Sequence, residues 1–275
     1  MPASNPRVFL ESRYKKFDRE LPQTIFWCPK CRGYWPEKRD CSNCQGFGKL
    51  TKDSVQELLA RVIQPLYRAK DSIFHGAGRE DVDVRMLGNG RPFVFELTSP
   101  RTNDVDVARL HELFNRRYAG RVEVAPFQVV PRARVRFWKE ACFEKVYRVL
   151  AQSEEPFVAE RCSALVGRTL SVEQHTPQRV AHRRADLARI RAVTVLAAMP
   201  SDAMRWHFDL RCEHGTYVKE WVSGDAGRTR PSLSELVGVP CRCVELDVLE
   251  ILTGSTDDSP PTAQVRRPPE LGALP

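Results

Sequence analysis

At 275 residues, with 42% hydrophobic content and a mean hydropathy of −0.42, the chain can bury one large core or two small ones. It carries no run of about 18 apolar residues, which excludes a membrane-spanning helix. Lys and Arg number 43 against 35 Asp and Glu, and the resulting charge of +8 suits a polyanionic partner, nucleic acid before membrane. The stretch Met1-Pro2-Ala3-Ser4-Asn5-Pro6-Arg7 has no apolar signal region, and nine cysteines are an odd number. Both features favour a reducing, cytoplasmic compartment over a disulfide scaffold.

Residues 1–27 read as a polar, Pro-punctuated N-terminal arm containing Arg13-Tyr14-Lys15-Lys16 and Leu21-Pro22-Gln23-Thr24. Residues 28–49 form a compact Cys/Gly segment. Its Cys28-Pro29-Lys30-Cys31 and Cys41-Ser42-Asn43-Cys44 are nine residues apart and fit a tetrahedral zinc site, each pair offering two thiolates from one turn. Gly33, Gly46 and Gly48 relieve the tight backbone. With all four positions filled by protein, such a zinc is structural, because no coordination position is left for a catalytic water. Core cysteines or a redox CxxC are the alternatives, but a redox motif needs no matching second pair.

Residues 50–252 carry the periodicity of a folded domain. Ser54 to Ala69 has helical spacing behind a Ser54 N-cap. Apolar alternation predicts strands at 82–87, 91–98, 122–130, 145–151, 190–198, 205–213 and 241–251, with a hairpin turn at Gly88-Asn89-Gly90. Asp104 to Tyr118 and Tyr217 to Val222 look helical, and Ser232 with Glu235 has capping-box spacing. The expected fold is α+β, a mostly antiparallel mixed sheet flanked by helices, with the small four-cysteine zinc-binding segment ahead of it. No internal repeat stands out, and the polar residues 253–275 read as a disordered tail.

Charge concentrates in Gly78-Arg79-Glu80-Asp81-Val82-Asp83. On a strand Asp81 and Asp83 would share one face, as an edge salt-bridge cluster or as a chemical site. Lys219, at the start of a predicted helix, could reach back and hold an aspartate ionised; alone it would be a solvated helix residue. Lys145 and Tyr147 share a strand face, and a Tyr beside basic residues suits a stacked base with a nearby phosphate.

Together these segments resemble pseudouridine synthases. Gly78-Arg79-Glu80-Asp81 matches that superfamily's G-R-x-D signature, Lys145-x-Tyr147 its K-x-Y motif, and Gly215-Thr216-Tyr217-Val218-Lys219 its G-T-Y-V-K motif. The chain is most similar to the archaeal and eukaryotic Pus-ten type of tRNA pseudouridine synthase. The further matches run from Arg13-Tyr14 to Thr24, Gly78 to Phe93, Thr176 to Asp186, and Gly224 to Ser232. The likeness covers about residues 13–252. Members of that family usually carry an N-terminal accessory RNA-binding domain, THUMP-like in archaea, ahead of this region.

The resemblance implies isomerisation of uridine to pseudouridine in tRNA, at T-arm positions, by an essential Asp81. Lys219 would pair with Asp81 and Tyr147 would pack on the target base. Arg79, Lys145 and Tyr217 join the expected substrate contacts. The basic run Arg179, His182, Arg183, Arg184, Arg189 and Arg191, with Arg228 and Arg230, would track the RNA backbone, unless it is a solvated helix face. The expectation is a monomer with structural zinc, no catalytic cofactor, no small-molecule cosubstrate and no membrane partner. Two other readings compete. One is a metal-dependent nuclease using Asp81, Asp83 and Glu96; the other is a non-catalytic RNA-binding protein.

Overall fold

The computed structural model describes residues 7–181 and 185–253. His182, Arg183, Arg184 and the expected tail from 254 onward lie outside the described residues. In chain order the first elements are β1 (Arg7–Lys16), α1 (Val55–Leu66), β2 (Asp71–Gly76), β3 (Arg85–Thr98), α2 (Leu110–Arg117), β4 (Val122–Val124) and β5 (Gln128–Val129). They are followed by α3 (Ala133–Glu140), β6 (Lys145–Ser153), α4 (Ala159–Ser163), β7 (Thr169–Gln174) and α5 (Gln178–Ala181). The last are β8 (Arg189–Pro200), β9 (Arg205–Cys212), α6 (Val218–Ser223), β10 (Thr229–Arg230), α7 (Leu233–Val237) and β11 (Cys241–Ile251).

The strands form one sheet in the order β10-β7-β8-β9-β6-β11-β3-β1-β4, with β2 on β3 and β5 on β1 off that path. Every strand pairing is antiparallel except β11 with β3, which is the expected mixed, mostly antiparallel architecture. Helix formation follows the sequence signals. Ser54 Oγ accepts from the Glu57 amide, and α1 then buries Val55, Leu58, Leu59, Val62 and Ile63, each fully buried aliphatic contributing roughly 1.5–3 kcal/mol. The Ser232/Glu235 capping box forms in both directions ahead of α7.

Two expectations change. Within the segment read as an arm, residues 7–16 are strand β1, paired with β3 from Arg7↔Thr98 to Lys16↔Met86. Its alternation places Leu10, Ser12, Tyr14 and Lys16 inside, and two of those four are polar, which disguised the pattern.

Gly88-Asn89-Gly90 is not a hairpin turn either. β3 runs straight through it, and the two predicted strands are one. The glycines permit close approach: a Cβ on Gly88 would sit 1.8 Å from the Leu249 carbonyl oxygen, and one on Gly90 2.8 Å from that of Tyr14. Asn89 Nδ2 donates to the Ile251 carbonyl across the same gap at 3.2 Å. This contact continues the short parallel seam Asp247↔Arg85 and Val248↔Met86, where Arg85 forks onto Asp247. The seam joins the N-terminal half of the sheet to the C-terminal half.

Gly88→Ala is therefore expected to cost about 3 kcal/mol or more in denaturant unfolding, since steric clash adds to left-handed strain. Gly167→Ala, also at positive φ but in open space, should lose only about 1–2 kcal/mol. Equal losses at the two positions would contradict the close-approach reading.

Candidate active site

The turn Gly78–Val84 leads into β3 at the seam and carries the acidic cluster. It is fixed from beneath by charges that the sequence did not single out. Glu80 and Arg91 form an ion pair at 2.8 Å with both side chains 2% exposed. Tyr14 Oη donates to Glu80 at 2.6 Å, and Gln23 donates to Tyr14 Oη at 2.8 Å and to the Gly78 carbonyl at 3.1 Å. Arg91 also donates to the Ala77 carbonyl. From the end of β1, buried Lys16 reaches the Val82 carbonyl at 2.7 Å, and Arg19 reaches that of Asp83 at 2.9 Å. Burial draws the Lys16 amine down to about 8. Thus Tyr14, Lys16, Arg19 and Gln23 clamp the acidic turn.

What the clamp presents is a pair of carboxylates facing a pair of cations. Lys219 Nζ lies 2.8 Å from both oxygens of Asp83 and 3.5 Å from Asp81. Arg179 stands 3.3 Å from Asp81 on the other side, while its Nε donates at 2.6 Å to Glu220, a carboxylate only 7% exposed. The geometry brings Asp81 and Lys219 together as expected and adds Asp83, Arg179 and Glu220. Burial would raise the Asp83 carboxyl, but the Lys219 ammonium outweighs it and holds the group below its ordinary range. Lys219 comes from the first turn of α6, and Tyr217 is the N-cap residue, its backbone exchanging two hydrogen bonds with buried Gln174.

Tyr147 lies half-buried on β6, between Leu210 of β9 and Val248 of β11. Burial raises its phenol well above the ordinary value, and Arg91 and Glu80 are near enough to act on it electrostatically. Lys145 donates to the Phe143 carbonyl and sits 3.5 Å from His214 Nδ1, with burial and Arg91 drawing it down to about 8. Arg79 is exposed on the turn itself. Arg228 is tied to the Thr176 carbonyl and Asp186, and Arg230 stays largely exposed, 3.5 Å from Glu235. The expected basic track is thus broken up: Arg179 is on α5 and belongs to the carboxylate cluster, while Arg189 already starts β8.

The nuclease arrangement does not form. Glu96 is buried against His75 and Arg7, and among the described residues the only cluster able to hold a metal is Cys28, Cys31, Cys41 and Cys44. Their four sulfurs all lie within 4.8 Å of one another, with Cys28–Cys41 at 3.7 Å and Cys31–Cys44 at 3.6 Å. Tetrahedral zinc with bonds of about 2.3 Å would space them about 3.8 Å apart. The Cys31 backbone amide and Asn43 draw the Cys28 thiol down to about 6, and the Gly48 amide donates to Cys44. The donor set therefore fits a closed, structural metal ion. None of the helices among the described residues is long and apolar enough to cross a membrane.

The chain is similar to known proteins over most of its length. A tRNA pseudouridine synthase Pus10 of Methanothrix thermoacetophila is 43% identical over 89% of this chain and 53% of its own length. The protein of the same description from Methanothermobacter marburgensis is 44% identical over 90% and 60%, and that from Korarchaeum cryptofilum 40% over 89% and 65%. The chain thus spans between about half and two thirds of these relatives. Among solved structures, a Cbf5-Nop10-Gar1 complex overlaps loosely, with a TM-score of 0.42 and 14% identity over 91% of this chain and 59% of that one. The family model described as "Pus10, C-terminal" matches residues 9–252, and the chain belongs to that family.

Proposed function

We propose that this chain isomerises uridine to pseudouridine in tRNA, at T-arm positions, with Asp81 as the working carboxylate. The observation that carries this reading is the exposed Asp81 poised between Lys219 and Arg179 on a turn fixed by a buried ion pair. Isomerisation breaks the N1–C1′ glycosidic bond and forms a C5–C1′ bond, while N1 gains a proton and C5 loses one. Atoms and electrons balance, so the reaction draws on no redox cofactor and no cosubstrate.

Asp81 acts as the anion, either on the sugar carbon or on its 2′ proton, and the two cations favour that form. Asp83 takes most of the Lys219 ammonium, which sets where that cation stands beside Asp81. The target base must leave its stack, at a cost of a few kcal/mol, and Tyr147 stacking returns roughly 1–3 kcal/mol of it. Arg79, Lys145 and Tyr217 line the approach for the flanking nucleotides, and Arg228 and Arg230 meet the backbone further out. Zinc in the four-cysteine site supplies fold stability, and a cytoplasmic setting keeps its ligands reduced. The chain acts as a monomer.

Three outcomes follow. Chemical mapping of tRNA incubated with the chain should reveal pseudouridine that disappears with Asp81→Asn and persists in EDTA over the time the structural metal stays bound. No Asp81-dependent product on tRNA would contradict the enzyme and leave an RNA-binding protein. Lys145 is charged below pH of about 8 and neutral above it, so tRNA affinity should fall as pH rises through that value, and Lys145→Gln should flatten the fall. An unchanged profile in that variant would remove Lys145 from the RNA contacts. Arg91→Met strands the buried Glu80 charge and should cost about 3–5 kcal/mol in denaturant unfolding, much of it recovered by adding Glu80→Leu. A loss under about 1 kcal/mol would mean the pair does not anchor the turn.

A further inference from the structure

The two cysteine knuckles repeat a pattern beyond their metal ligands. Cys28-Pro29-Lys30-Cys31-Arg32-Gly33-Tyr34 and Cys41-Ser42-Asn43-Cys44-Gln45-Gly46-Phe47 each follow the second cysteine with a residue, a glycine and an aromatic. In each, the first two of these three take positive φ: Arg32 at 51° and Gly33 at 78°, Gln45 at 50° and Gly46 at 84°. The ring that follows each double left-handed step ends up in solvent. Tyr34 is 69% exposed and Phe47 72%, beside Trp35 at 71% and Trp27 at 52%.

This exposure is confined to one place. Among the described residues, all five exposed aromatic side chains lie between Phe26 and Phe47, and the other large exposed apolar residues are aliphatic or Met. The segment's own core consists of the four cysteines alone, so these rings do not contribute to it. Aromatic surface left in water on this scale signals a partner. Between residues 26 and 50 the rings are interleaved with Lys30, Arg32, Lys38, Arg39 and Lys49, against only Glu37 and Asp40. The three lysines among them disfavour a protein interface, whose centre is depleted of Lys. Stacking faces set among cations are what unpaired nucleotides require, because every base offers a π-face and every nucleotide a phosphate.

The segment also opens toward the acidic turn. A cleft of about 600 Å³ has Leu50, Thr51 and Lys52, at the foot of the segment, on one wall and Val82 and Asp83 on another. Arg19 and Arg121 also line it, together with the carboxylates Asp18, Glu20 and Asp53, so the cations that would meet RNA are those of the segment itself. The cleft thus links the foot of the segment to the turn that carries Asp81.

The geometry points to the aromatic face of the four-cysteine segment, Tyr34, Trp35 and Phe47 foremost, as a second RNA-docking surface that stacks unpaired nucleotides of the substrate. This rests on the reading that the substrate is RNA. The test compares tRNA affinity, turnover at saturating tRNA and thermal midpoint for the full chain, for Trp35→Ala with Phe47→Ala, and for Trp35→Phe with Phe47→Tyr.

The alanine pair should weaken affinity by roughly fivefold or more for each ring lost, with turnover and midpoint unchanged, and the conservative pair should bind as the parent does. Parent-like affinity in the alanine pair would overturn the proposal and leave the face to a protein partner. Equal losses in both pairs would overturn it too, because a stacking face tolerates one ring in place of another. A parent that binds tRNA yet forms no pseudouridine would sink the isomerase reading, while the affinity comparison would still decide the surface.

Discussion

The acidic turn depends on one interaction, the buried ion pair between Glu80 and Arg91. Two charges taken wholly out of water are tolerable only when their remaining hydrogen-bonding capacity is filled. Tyr14 fills the second Glu80 oxygen and the Ala77 carbonyl takes an Arg91 donor, so the pair is tied to β1, β3 and the turn at once. With Glu80 pinned inward, its neighbour Asp81 is turned toward solvent and toward the cations. An exposed carboxylate on a free loop would sample many positions; here the backbone on both sides is held by Gln23, Lys16 and Arg19.

That clamp works because two halves of the sheet meet beside it. β3 belongs to the first half and β11 to the second, and their parallel contact is only two residue pairs long. The Arg85–Asp247 fork and the Gly88-Asn89-Gly90 passage extend it. Arg19 links both halves, donating to the Asp83 carbonyl on one side and to that of Leu246 on the other. Asp81 and Asp83 come from the first half, whereas Lys219, Glu220 and Arg179 come from the second. The site exists only while the seam holds, which couples strand packing directly to the chemistry.

The parts of this arrangement that were legible in the sequence are those with a local signature. The G-R-x-D turn, Lys145-x-Tyr147 and Gly215 to Lys219 stand in continuous motifs, and the N-caps and most long strands follow from periodicity. What escaped depends on partners remote in sequence. β1 was hidden because buried Ser12 and Lys16 read as polar, and nothing local shows that backbone carbonyls satisfy Lys16. Gly88-Asn89-Gly90 has hairpin chemistry, but its glycines make room for the backbone of Leu249 and Tyr14. Arg179 looked like one of a run of RNA-facing cations because its pairing with Glu220 spans 41 residues. The short strand β7, the edge strand β10 and the short helices α3 to α5 have too few periodic residues to register.

The central claim is that the Lys219 ammonium, shared between Asp83 and Asp81, sets up Asp81 for uridine isomerisation. The most direct measurement is the single-turnover rate of pseudouridine formation by Lys219→Ala at saturating tRNA. Loss of a fixed charge beside the reacting group should slow that step by about 100-fold or more while tRNA affinity changes little. Turnover of bound tRNA at the parent rate would contradict the account.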